Sequence, residues 1–237
     1  SFTVYAQSAG EDTMGELIAN GNQSNAGIGG FGSVTINGGS ITAIGDTFSG
    51  IDVKTITIHG GIVSTTNING TLYTGQNGTA VIFASSIVDQ TSKDSWSGLI
   101  FEGSQGKIYG QHYTLTEPLT IPDGNTLTVE EGKTLTVSSG AALTNQGGIQ
   151  VDLGGTYSGT QPAGNPVTYQ IGWDIDGDGS ADETEYLPYG ATPSHADVSR
   201  EQDTEYTYTF DGWSPALSAV TEPVTYTAQF SSNVRNY

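Results

Sequence analysis

The residues best suited to chemistry lie in one run, Asp174-Ile175-Asp176-Gly177-Asp178-Gly179-Ser180-Ala181-Asp182-Glu183-Thr184-Glu185. Counted from Asp174, carboxylates stand at positions 1, 3, 5, 9 and 12, with Gly179 at position 6. This is the side-chain spacing of an EF-hand calcium loop. Calcium takes six to eight hard oxygen donors in a flexible shell, and a looping chain can wrap them around one ion. Asp174, Asp176, Asp178, Asp182 and Glu185 are the candidate carboxylate ligands, and Ser180 would give its carbonyl. Crowding these acids without a cation costs energy through mutual repulsion. The competing reading is a solvated acidic hairpin, because Asp-Gly-Asp-Gly is also a favoured turn and no amphipathic helices flank the loop. If calcium binds, its expected role is structural, pinning a hairpin.

Other side chains offer less. Trp96 sits in a polar stretch, Ser85 through Ser97. It is either a stacking platform for a sugar ring or a lid over an adjacent strand, the commoner fate of a lone Trp. His59, His112 and His195 share no metal-binding spacing. Thr-x-Thr steps at 126–128 and 134–136 suggest an ice-binding face, but the repeats described below put them on different sides of a coil, so no regular ladder is expected. A polysaccharide lyase needs calcium beside a basic residue, and a hydrolase needs two carboxylates about 5 to 9.5 Å apart. The first 153 residues hold only Lys54, Lys93, Lys107 and Lys133 and no Arg, so the chain is not expected to be an enzyme.

These residues must be positioned by many short strands. The 237 residues include 34 glycines, about twice the usual share, while Val, Ile and Leu recur in short runs between Gly and Asn. No cysteine is present, which excludes disulfides and thiolate metal sites. Twenty-five acidic residues against six basic ones give a net charge of −19, which repels nucleic acid and favours cations. No apolar run reaches the ~18 residues of a membrane span. Ser1-Phe2-Thr3-Val4-Tyr5 reads as a strand rather than a signal peptide, so a trimmed piece of a longer exported protein is expected.

Internal repetition organises the chain. Ser33 through Thr42 aligns with Thr55 through Ser64 at an offset of 22, with Val34, Ile36 and Ile41 falling on Ile56, Ile58 and Val63. A tighter unit follows: Leu119-Thr120-Ile121, Leu127-Thr128-Val129 and Leu135-Thr136-Val137, each closed by a turn with Gly124, Gly132 or Gly140, with Leu143 next at the same spacing of eight. Three such units approach the upstream offset, so the expected form is a coil of three short strands per turn whose stacked turns share a core. The reading is all-β: a right-handed parallel β-helix (β-solenoid) over 1–153, including strands at 80–84 and 99–103 and an ambiguous strand or short helix at 13–19. A linker over 154–166, a small β unit of three or four antiparallel strands over 167–231, and a tail over 232–237 complete the expectation.

Asn25-Ala26-Gly27-Ile28-Gly29-Gly30 before Val34-Thr35-Ile36-Asn37-Gly38-Gly39 resembles the Gly-rich β-helical repeats of gut-bacterial surface proteins, some of them adhesin-like or carbohydrate-binding. The Leu-Thr-Ile-Pro-Asp-Gly-Asn-Thr-Leu-Thr-Val series resembles another repeat of such proteins. Leu187-Pro188-Tyr189-Gly190-Ala191-Thr192-Pro193, Tyr208-Thr209-Phe210-Asp211-Gly212-Trp213-Ser214 and Tyr226-Thr227-Ala228-Gln229-Phe230 together resemble the internalin-type B repeat, also called the Listeria–Bacteroides repeat. That resemblance implies a β-grasp-like module acting as a surface spacer, with no catalytic residues. The expected function is a non-catalytic, extracellular cell-surface scaffold with a glycan or host surface component as partner, and a monomer. A β-helical lyase or hydrolase and a stalk without ligand are the alternatives.

Overall fold

A computed structural model describes residues 2–4, 15–22, 25–47, 49–88, 93 and 96–235. Its elements among these residues are all strands. The first group is β1 (Phe2–Val4), β2 (Glu16–Asn20), β3 (Ile28–Ile36), β4 (Ser40–Ile44), β5 (Ile51–Val88) and β6 (Gly98–Glu102). The second is β7 (Gln105–Tyr109), β8 (His112–Leu115), β9 (Leu119–Ile121), β10 (Thr126–Val129), β11 (Thr134–Val137), β12 (Leu143–Asn145), β13 (Gly148–Val151), β14 (Thr156–Gly159) and β15 (Ala163–Gly164). The last is β16 (Thr168–Asp174), β17 (Glu183–Pro188), β18 (Tyr206–Ser214) and β19 (Val224–Val234).

The strands stack in parallel into a β-solenoid of about six turns. The 22-residue register is the one read from the repeats. Val34 lies beside Ile56 and Ile36 beside Ile58, while Ile41 lies beside Val63. All six side chains are buried, because alternation points every second residue inward. The eight-residue units also behave as expected. β10 stacks between β7 and β13, β11 between β8 and β14, and β12 between β9 and β15, giving three walls. Gly124, Gly132 and Gly140 turn the corners at φ of 79°, 71° and 93°, a region open to glycine at little cost.

The two Thr-x-Thr steps do lie on different walls. Stacking at 22 residues nevertheless aligns Thr114, Thr136 and Ser158 in one column and His112, Thr134 and Thr156 in another. These columns run within one wall and include His112 and Ser158, so the two Thr-x-Thr steps are not joined into a regular ladder.

β6 and β7 form an antiparallel hairpin through Gly103, φ 63°. In this sheet β1, β3, β5 and β6 run one way and β7, β10, β13 and β16 run the other. The strand order of the sheet still advances steadily, β5-β6-β7-β10-β13. At the same point the core changes sides. Ile82, Ala84 and Ile100 belong to the core of the first coil, whereas Val81, Leu99 and Phe101 belong to that of the second, with Phe83 packed against it. The wall at β5–β6 is thus buried on both faces. Reversing strand direction alone would invert the sense of winding, as would moving the core alone. Doing both preserves it, so the two coils wind with the same hand.

The stretch 154–166, expected as a linker, is the last turn of the second coil. Thr156–Gly159 pairs with β11 and Ala163–Gly164 with β12. Residues 232–234 of the expected tail belong to β19 and pair with β18. The C-terminal unit is also not purely antiparallel. β16–β17 and β18–β19 are antiparallel pairs, but the inner strands β16 and β19 run parallel. β16 continues from β13 at Gln150–Thr168 and Val151–Tyr169, and one core runs from Leu143 to Trp173 and Tyr226. Of the ambiguous segment 13–19, Glu16–Ala19 is strand, and Thr13 and Met14 lie outside the described residues.

Candidate functional site

The acidic loop joins β16 to β17. Its base is held by packing: Trp173 is 2% exposed, with ring centroids of Trp213 at 4.8 Å, His195 at 4.8 Å and Tyr226 at 5.3 Å. The amide of Asp182 donates to the Trp173 carbonyl at 2.8 Å and closes the loop. Asp174 follows Trp173 inward and is fully buried. Its Oδ1 accepts from the Gly177 amide at 2.7 Å and its Oδ2 from the Gly179 amide at 3.1 Å. Glycines at φ 80° and 95° let the chain curl around that carboxylate.

Asp174, Asp176 and Asp182 converge, each offering one oxygen, and these oxygens lie within 4.8 Å of one another. Asp182 Oδ2 also accepts from the Ile175 amide at 2.7 Å. The other expected ligands are placed differently. Asp178 Oδ1 caps the Ser180 amide at 2.7 Å, and Glu185, opposite Ile171 on β17, accepts the Trp173 indole N–H at 3.1 Å. A three-carboxylate cradle of hard oxygens suits a cation such as calcium, with the remaining positions left to carbonyls and water. Each carboxylate oxygen has a second lone pair, so amide bonds to Asp174 and Asp182 do not prevent ligation.

Trp96 does not offer a stacking face. It is 2% exposed, lies in the core of the first coil, and meets the Tyr109 ring at 5.2 Å, with Lys93 Nζ 5.3 Å from its own ring. The lid reading is the one this geometry fits. His59 and His112 do not join the acidic loop, and His195 reaches Glu183 at 3.4 Å, beside it.

A second concavity was not read from the sequence. A cleft of about 490 Å³ opens at the step between the coils. Ile62, Ser64, Phe83 and Ser85 come from the outer face of the first coil, and Leu119, Thr120 and Asn125 from the first turn of the second. Phe83 is fixed by stacking on Phe101, with centroids 4.4 Å apart and planes at 17°. The signal in the sequence is the unbroken apolar run Ala80–Ala84, which alternation on one face does not explain.

Among the described residues no helix is long and apolar enough to cross a membrane. No protein-family model, no curated protein and no solved structure matched the chain on comparison.

Proposed function

We propose that this chain is a non-catalytic scaffold of an exported bacterial surface protein, adhesin-like or carbohydrate-binding, whose C-terminal unit is stabilised by calcium. The observation that carries the metal is the convergence of Asp174, Asp176 and Asp182 at the hairpin tip. Burial of Asp174 ties that tip to the aromatic core, so an ion there would couple loop order to the stability of the unit. A stacked coil of repeated strands, without Asp, Glu, Lys or Arg from β8 to β14, supports a scaffold, and the absence of cysteine together with the acidic composition is compatible with export. We read the two hairpins with parallel inner strands as the β-grasp-like module that the internalin-type resemblance implies, and the coil as a right-handed β-helix. Continuity of core between coil and module also favours the stalk reading, in which the chain spaces other parts and binds no glycan.

Calorimetric titration with calcium, paired with melting in calcium and in chelator, tests the metal. Saturable binding that Asp176→Ala abolishes, with a higher melting temperature in calcium, is expected. No heat and superimposable melts would reduce the loop to an acidic hairpin.

A further inference from the structure

We infer that the cleft at the step between the two coils is a binding site for a neutral oligosaccharide, an inference that rests on the reading of the chain as a glycan-engaging scaffold. The chain as a whole carries a net charge of −19, yet among the described residues none that lines this cleft is charged. An anionic ligand would meet the negative field of the whole chain without a local cation to offset it, and a cationic ligand would find no carboxylate to pair with. A neutral ligand escapes both costs.

The lining has two characters. Ile62, Phe83 and Leu119 give an apolar floor, and Ser64, Ser85 and Thr120 give hydroxyls around it. A pyranose has the matching division, with C–H faces that pack on aromatic and aliphatic carbon and equatorial hydroxyls that exchange hydrogen bonds with the rim. Pockets that combine an apolar floor with a few placed polar groups are the usual form of a small-molecule site. The site is also preformed. Phe83 is held by Phe101, and Asn125 donates from Nδ2 to the Gly103 carbonyl at 3.2 Å, which ties the second coil to the hairpin beside the cleft. Little ordering would therefore be lost on binding. The two walls belong to different coils, so the cleft exists only because the core changes sides at β6.

The test is titration of the whole chain with cellohexaose, mannohexaose and laminarihexaose, against oligogalacturonate as the charged counterpart, at millimolar concentration. The expected result is saturable binding of at least one neutral hexaose, with oligogalacturonate at least tenfold weaker. Thr120→Asp and Ser85→Asp, both at exposed rim positions, should each weaken binding at least tenfold without moving the melting temperature. Chelation should leave binding unchanged. No saturable binding of any neutral hexaose, or a preference for the acidic one, would overturn the inference. Binding that survives both rim substitutions would overturn it too, while leaving a glycan-binding scaffold intact with its site elsewhere.

Discussion

The ring of Phe101 lies against the backbone of Gly106, its partner across the β6–β7 hairpin. A Cβ at Gly106 would stand 2.7 Å from Phe101 Cζ and nearer still to Cε1 and Cδ1. Glycine is required there because a large aromatic, fully buried, covers the opposing strand, an arrangement that pins register. Gly106→Ala should destabilise the protein by about 1–3 kcal/mol through overpacking. In a urea double-mutant cycle, Phe101→Leu combined with Gly106→Ala should cost less than the sum of the two. Strict additivity would show that the ring is free to move aside.

Leu99 and Ile100 are neighbours in the chain but sit in different cores. Truncating either to Ala should cost about 2–5 kcal/mol. Native-state hydrogen exchange would separate them. Ile100→Ala should lower protection chiefly in β3–β5, and Leu99→Ala chiefly in β10–β13. Identical protection changes would argue against a wall shared by two cores.

Asp174 and Asp176 should part company when calcium is removed. Asp174→Ala leaves the Gly177 and Gly179 amides without their acceptor and should cost about 1–3 kcal/mol even in chelator. Asp176 is exposed, so Asp176→Ala should be nearly neutral in chelator and lose only the calcium-dependent gain. Melting curves of both variants, each with and without calcium, read the difference directly.

Trp96→Ala should lower stability by about 3–5 kcal/mol, as expected for a large side chain removed from a core. Denaturant titration measures it. A loss below about 0.5 kcal/mol would be the behaviour of a surface residue.

Burial pushes the Tyr113 phenol up to about 12 from its ordinary 10.0. The unfolded chain therefore ionises first as pH rises. The stabilising contribution is complete below pH 10 and is lost as pH climbs toward 12, on the order of 2 kcal/mol. Tyr113→Phe should flatten the fall in melting temperature across that window, and an unchanged slope would refute the assignment.

Much of the coil is legible in the sequence because its signals reinforce one another. Val34-Thr35-Ile36 and Ile56-Thr57-Ile58 share both alternation and the following glycine pair, and they stack in that register. The last turn is misread when the eight-residue spacing alone is followed. Thr156-Tyr157-Ser158 lies 22 residues after Thr134-Leu135-Thr136 and keeps the longer period, with Tyr157 taking the position of Leu135. The hairpin is hidden because Glu102-Gly103-Ser104-Gln105 looks like any other Gly-bearing corner. Its one distinguishing mark is the run Leu99-Ile100-Phe101, apolar at successive positions as in a strand covered on both faces. For the acidic loop, spacing identifies the three acids that converge, but it cannot show that Trp173 draws Glu185 away, since that depends on which face of β17 meets the indole.

The sharing of β16 between the last turn and the C-terminal unit has a mechanical consequence. A flexible linker would let two attached groups sample a volume that grows with its length. Here the strand that ends the coil also begins the next unit, and rotation between them would tear both the pairing to β13 and a common core. The segment behaves as a lever arm without a joint. Whatever is attached at either end is aimed as well as separated, and torque applied at one end is delivered to the other.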